Sequence, residues 1–273
     1  MGKKIFTINL NECNGCYCCQ IGCKDEHVSN DWTPIAKPQP EIDQFWIKLE
    51  EKIRGTVPKV MVSYRPHMCM HCDNAPCMES CPVEGAIYKR EDGMVIIDPV
   101  KCTGCRNCSD TCPYDVVYFN EDLNIAQKCT GCAHLLDDGW EETRCTDNCP
   151  TLCMRVLEED SEEAKEFMAE AEYYMPEVSE KTKPRVYYKG LPKKFIAGTL
   201  FDEEADEVHI GAECTLTGAG ATYNQTTDEY GDFWFEHLPD GVYDLELKAA
   251  GRSKSIGAID ATELDVNLGD IAI

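Results

Sequence analysis

Sixteen of the 19 cysteines in this 273-residue chain stand in four groups of four, all between Cys13 and Cys149. The groups read Cys13-x2-Cys16-x2-Cys19-x3-Cys23, Cys69-x2-Cys72-x4-Cys77-x3-Cys81, Cys102-x2-Cys105-x2-Cys108-x3-Cys112 and Cys129-x2-Cys132-x12-Cys145-x3-Cys149. Proline follows the last cysteine of three groups, at Pro82, Pro113 and Pro150, whereas Lys24 holds that place in the first. Thiols at such spacing constrain the fold more than any hydrophobic pattern, because each loop must close around whatever its sulfurs bind.

The third group has the spacing of the bacterial ferredoxin run, which holds [4Fe–4S] clusters. Each of a cubane's four irons needs one thiolate, and a Cys-x2-Cys-x2-Cys loop wraps one cluster and supplies three. The fourth cysteine begins a new turn, and in two-cluster ferredoxins it ligates the other cluster. A following proline stops the local helix and turns the chain. Zinc uses paired Cys-x2-Cys units, and three successive thiols at x2 spacing with a fourth at x3 is not its usual pattern. The fourth group alone reads as a zinc site, but its place beside three ferredoxin-like groups overrules that.

Disulfide frameworks belong to small secreted domains, and the start Met1-Gly2-Lys3-Lys4 has no apolar stretch behind it. Free thiols in a reducing compartment fit cluster ligation, so the expected location is the cytoplasm. Cys18, Cys153 and Cys214 are left over and are read as unligated thiols filling space, with Cys18 an alternative to Cys19 that the x2-x2-x3 spacing disfavours. His71, inside the second group, is read as lying behind the ligands or at the surface, since four thiols are already present. No Ser/His/Asp, Cys/His or paired-carboxylate constellation marks a substrate site, so no catalytic residue is assigned.

The formal charge is −24, from 26 basic and 50 acidic side chains. Nucleic-acid binding needs the opposite sign, and an anionic membrane surface is disfavoured likewise. No apolar run approaches the ~20 residues of a membrane helix, so direct membrane insertion is not expected.

The expected class is α+β. Residues 1–157 read as a double ferredoxin-like iron–sulfur domain in which short strands, including residues 5–8 and 94–97, lead into cluster loops. Its apolar core is expected to be small, with the clusters acting as staples. Residues 24–68 form an insertion with strands near 45–47 and 60–62. Residues 158–194 read as an acidic amphipathic helix over 158–175, with Asp160 as N-cap and Glu163 in a capping box, followed by a proline-rich linker. Residues 195–273 read as a small antiparallel sandwich or barrel with strands at 195–201, 214–216, 233–235 and 243–248. The runs 227–235 and 238–243 resemble the carboxypeptidase-regulatory or transthyretin-like β-sandwich family. Asp228 and Asp232 admit a calcium reading, but turn chemistry explains them more simply.

The run Cys69-Met70-His71-Cys72-Asp73-Asn74-Ala75-Pro76-Cys77, with Gly22-Cys23-Lys24-Asp25-Glu26 and Cys112-Pro113-Tyr114, goes beyond a generic ferredoxin. These residues resemble the four-cluster subunit of the DMSO-reductase superfamily of molybdenum and tungsten enzymes. The resemblance covers residues 3–157. It implies that each group donates its last cysteine to a partner group's cluster. Cys149 would then join Cys13, Cys16 and Cys19, while Cys23 would join Cys129, Cys132 and Cys145. Cys112 would join Cys69, Cys72 and Cys77, and Cys81 would join Cys102, Cys105 and Cys108. It also implies four [4Fe–4S] clusters (three if one site stays unfilled) and a heterodimer with a large catalytic subunit carrying a molybdenum bis-pterin. The appended β domain is similar to that of the transhydroxylase branch, whose large subunit moves a hydroxyl group between polyhydroxylated benzenes. A respiratory polysulfide, nitrate or DMSO-type reductase subunit and a free-standing polyferredoxin carrier are the alternatives.

Overall fold

The computed structural model describes residues 2–273. The chain forms two compact units, one of residues through Glu51 with Tyr64–Leu191, the other of Lys52–Ser63 with Pro192–Ile273.

Local backbone geometry organises the first unit. The residue before the second cysteine of every group has a left-handed backbone: Gly15 at φ 72°, His71 at 44°, Gly104 at 75° and Gly131 at 62°. A left-handed residue reverses the chain and turns successive N–H groups inward, making the concave loop an anion site needs. Three of the four positions are glycine, for which this conformation carries no Cβ penalty. In the first and third groups the residue after the second cysteine, Tyr17 or Arg106, is also left-handed and caps a helix, Cys18–Val28 or Asn107–Thr111. That helix carries the third cysteine.

The prolines act as expected. The helices Pro76–Glu79, Asn107–Thr111 and Arg144–Asp147 all end before the cysteine–proline pair that follows them. The first group lacks the proline, and its helix continues for 11 residues to Val28. Cys19 and Cys23 lie four apart on that helix and are both buried. A Cβ on Gly22 would stand 1.9 Å from Asn148 Nδ2, so glycine here lets the helix lie close against the fourth group.

Strand Lys4–Asn9 is central to a three-stranded sheet, antiparallel to Met154–Glu158 and parallel to Val186–Lys189. The third strand corrects the expected linker. Pro176 opens a helix over Pro176–Thr182, and Pro184 precedes a strand whose Val186 and Tyr188 alternate inward. Prolines mark element starts here, because a first-turn position needs no N–H. The acidic helix is also shorter than expected. It spans Glu162–Glu170, and its N-cap is Ser161, whose Oγ accepts from Ala164 N at 3.2 Å. The residues before it are taken by the sheet, where Glu158 opposes Lys4. The insertion strands are extended to Ile47–Thr56 and Lys59–Met68, and residues 24–28 belong to the first helix. The apolar core exceeds the expectation as well: Phe6, Ile8, Trp46, Met94 and Tyr188 share one buried cluster with Cys19, Cys23, Cys69, Cys129 and Cys145.

Residues 192–273 of the second unit hold eight strands. Lys194–Asp202 pairs with Glu207–Val208, Asp232–Leu238 and Val266–Ala272. A second sheet has the order Ala221–Thr226, Glu213–Gly218, Val242–Ala249, Arg252–Asp260. Ile196, Phe233, Leu216 and Leu247 from the two sheets share one core. The four expected strands are present. Ala221–Thr226 and Arg252–Asp260 lie at sheet edges with mostly exposed side chains, so their inward–outward alternation is weak. Val266–Ala272 runs parallel to Lys194–Asp202, so the unit is not wholly antiparallel.

The loop geometry is open to test. Gly104→Ala would combine left-handed strain with a Cβ 2.5 Å from the Asn124 carbonyl oxygen. The expected cost is about 1–3 kcal/mol. Gly139→Ala shares the positive φ but meets nothing within 4 Å, and should cost less. Anaerobic denaturant unfolding of both variants measures the difference, and equal costs would remove the steric part of the account.

Candidate metal centres

The folded loops regroup the cysteines across the sequence groups. Cys81 leaves its own loop and lines a cavity of ≈ 320 Å³ with Cys102, Cys105 and Cys108. Cys112 leaves its loop and lines a cavity of ≈ 340 Å³ with Cys69, Cys72 and Cys77. The two cavities are nearly equal in size and are walled by apolar groups, Ala86, Ile87 and Ile97 in one and Val95, Val116 and Val117 in the other. Cys23 faces Cys129, Cys132 and Cys145. Among its thiol neighbours Cys19 is acted on most by Cys145, then by Cys13 and Cys149. Cys16 is hydrogen-bonded to Cys18, which senses Cys149. The Cys81 and Cys112 sets are two of those that the family resemblance implies.

The sets follow one another in space. Cys19 senses Cys145, Cys129 senses Cys69, and Cys77 senses Cys108. Exposure follows the same order. Cys16 and Cys105, in the outer two sets, are exposed, whereas Cys23, Cys129, Cys132 and Cys145 are all buried.

Electrostatics shows what such sites require. Burial, reinforced by neighbouring thiols, pushes Cys19, Cys72, Cys77 and Cys129 up to about 12. Buried thiolates in this number need a cationic occupant. Backbone N–H groups already point at sulfur: Gly131 N to Cys129 Sγ at 3.3 Å, Ala126 N to Cys102 Sγ at 3.4 Å, and Arg144 N to Cys132 Sγ at 3.5 Å. All-sulfur donor sets, apolar walls and inward N–H groups fit an iron–sulfur cube. The thiols stand around cavities rather than around a point, and among the described residues no three His, Cys, Asp or Glu side chains are grouped as on a single metal ion.

The remaining thiols differ from one another. Cys153 and Cys214 are buried as expected, but Cys18 is exposed and fills no space. Cys153 Sγ lies 3.6 Å from Cys149 Sγ. Its hydrogen bond to Cys13 holds that thiol down at about 6. His71 is fully buried rather than at the surface, and its Nδ1 accepts from Val95 N at 3.0 Å. Asp228 Oδ1 accepts from Tyr230 N and Asp232 N, both at 2.9 Å, which is the turn chemistry expected of it.

Two features were not anticipated from sequence. Glu26 accepts from Arg144 Nε at 2.8 Å and lies 3.0 Å from His134 Nε2, tying the first helix to the fourth group. Lys128 is buried among the sulfurs, and the one cue to it is a lysine directly before a ligand-spaced cysteine, just after the short strand Ile125–Gln127.

The thiol sets and their loops define an iron–sulfur protein of the ferredoxin type. Residues 60–159 match the family model of a 4Fe-4S dicluster domain. The chain is 40% identical over 283 residues to the pyrogallol hydroxytransferase small subunit of Pelobacter acidigallici, covering 100% of both chains. It is 30% identical to a putative dimethyl sulfoxide reductase iron–sulfur subunit of Halobacterium salinarum, covering 73% of this chain and 87% of that one. A tetrathionate reductase subunit of Salmonella typhimurium is 37% identical over 49% of this chain and 50% of its own length. The chain belongs to the family of iron–sulfur subunits of the DMSO-reductase superfamily of molybdenum enzymes. Among the described residues no helix is long and apolar enough to cross a membrane.

A pH dependence follows from the raised thiols. Thiols held near 12 are protonated at neutral pH when no metal is bound. A ligand must lose that proton, so protons compete with iron and metal release increases as pH falls. Iron loss to a chelator under anaerobic conditions should therefore accelerate from about pH 8 to about pH 6. A rate independent of pH would count against thiol protonation as the controlling step.

Proposed function

We propose that the sixteen grouped cysteines hold four [4Fe–4S] clusters and that the chain is the electron-transfer subunit of a molybdenum transhydroxylase acting on pyrogallol-type polyphenols. In this reading Cys13, Cys16, Cys19 and Cys149 hold one cluster, and Cys23, Cys129, Cys132 and Cys145 the next. Cys69, Cys72, Cys77 and Cys112 hold the third, and Cys81, Cys102, Cys105 and Cys108 the last. When bound, such clusters exchange single electrons at potentials set by burial and by hydrogen bonds to sulfur. The chain's own part is to hold the ligands, keep water from the inner sets and aim N–H groups at the sulfurs. Substrate chemistry is assigned to a larger partner subunit carrying a molybdenum bis-pterin.

The observation that carries the transhydroxylase reading is similarity over 100% of both chains to the Pelobacter subunit, a match that includes the β unit. The tetrathionate reductase subunit matches only 49% of this chain. We read the β unit as a transthyretin-like sandwich, in keeping with its two sheets around one core. A DMSO-type reductase subunit is the second reading, favoured by the Halobacterium relative, which spans 73% of the chain.

Purification of the native complex and assay against polyphenols, tetrathionate and dimethyl sulfoxide separates these readings. Turnover is expected with pyrogallol and from the complex alone. Turnover by the isolated chain would overturn the assignment of catalysis to the partner. Iron and sulfide counting should find about 16 irons per chain. Cys112→Ser should alter the EPR signal of one cluster and Cys108→Ser that of a different one, although the two residues lie in the same sequence group. Loss of a single shared signal in both variants would refute the exchanged ligand sets.

A further inference from the structure

Lys128 is 2% exposed. Its Nζ donates to the carbonyls of Val95 and Cys129, the latter at 3.1 Å. Its side chain lines the cavity of Cys69, Cys72, Cys77 and Cys112. Its chain neighbour Cys129 belongs to the adjoining set with Cys23, Cys132 and Cys145. The Cys69 thiol of the first set acts electrostatically on Cys129 of the second.

Two other cations near the Cys69 set are accounted for differently. Lys89 donates to Cys72 O at 2.9 Å but is paired with Asp73, and Arg185 is paired with Asp73 and Glu159. Lys128's hydrogen-bond partners are carbonyl oxygens. A buried ammonium needs a counter-charge, and carbonyl dipoles alone supply it poorly.

We propose that Lys128 is a shared internal counter-ion for two clusters, standing between the Cys69/Cys72/Cys77/Cys112 set and the Cys23/Cys129/Cys132/Cys145 set and favouring the reduced state of both. The proposal rests on the four-cluster reading. Gain of one electron by either set adds one negative charge, with no bond formed and no proton required. A fixed cation in a low-dielectric interior lowers the cost of that charge, and one cation seated in one set's cavity and bonded to the backbone of the other's Cys129 does so for both. The two inner sites would thus have their potentials raised together, while the outer sites, with exposed Cys16 and Cys105, are left to solvent and partner.

The test is Lys128→Met, close in volume and uncharged, in the native complex. Iron counting comes first: fewer than about 16 irons in the unaltered protein would defeat the four-cluster reading independently of the lysine. In Lys128→Met with full iron, an EPR-monitored potentiometric titration should show two signals displaced to lower potential and two unmoved. A tenfold fall in each reduction equilibrium constant corresponds to about 59 mV for a one-electron couple. Displacement of one signal, of all four or of none overturns the proposal. If Lys128→Met loses iron, Lys128→Arg decides. Full iron with unchanged potentials supports the counter-ion, and iron loss there too overturns it in favour of a steric role.

Discussion

A thiolate in apolar surroundings is held only where positive charge and N–H donors compensate it, and the first unit is arranged around that requirement. Its core places cysteines among Phe6, Ile8, Trp46 and Met94, so the same interior that stabilises the fold opposes ionisation of its sulfurs. Burial raises Cys23 and Cys132 well above the ordinary thiol range. The inward N–H groups of the loops, the buried Lys128 and the metal these sets are built for all act against that one cost.

The loops meet this need through backbone shape. A left-handed residue at Gly15, His71, Gly104 or Gly131 turns each chain so that its sulfurs and amides face one centre. His71 shows that glycine is not obligatory, since it holds φ 44° while its ring is locked by Val95 N. The fold brings the last cysteine of one group to the thiols of another, as with Cys81 and Cys102, which line one cavity.

The β unit follows ordinary rules of sheet formation, with strands alternating inward around Leu216, Phe233 and Leu247. Its strands are legible in sequence where one face is buried, as in Val242–Ala249, and illegible at the exposed edges Ala221–Thr226 and Arg252–Asp260. The same physics explains the segment after residue 158. Proline density there suggests a linker, yet Pro176 and Pro184 stand just inside or just before regular elements, where a missing N–H removes no bond.

Cysteine spacing by itself determined the chemistry and the candidate ligands, because thiol type and interval reflect local loop geometry that a few residues suffice to define. The flanking residues carried the superfamily, which full-length similarity bears out. Tertiary structure decided what depends on distant segments meeting: the seat of Lys128 in the Cys69 cavity, the burial of Lys128 and His71, the Glu26–Arg144 tie, and the strand Val186–Lys189 beside Lys4–Asn9. Apart from the place of Lys128 directly before Cys129, none of these has a local signal, since a buried lysine and a solvated one look alike in sequence. Their difference lies in which neighbours the fold brings within a few ångströms.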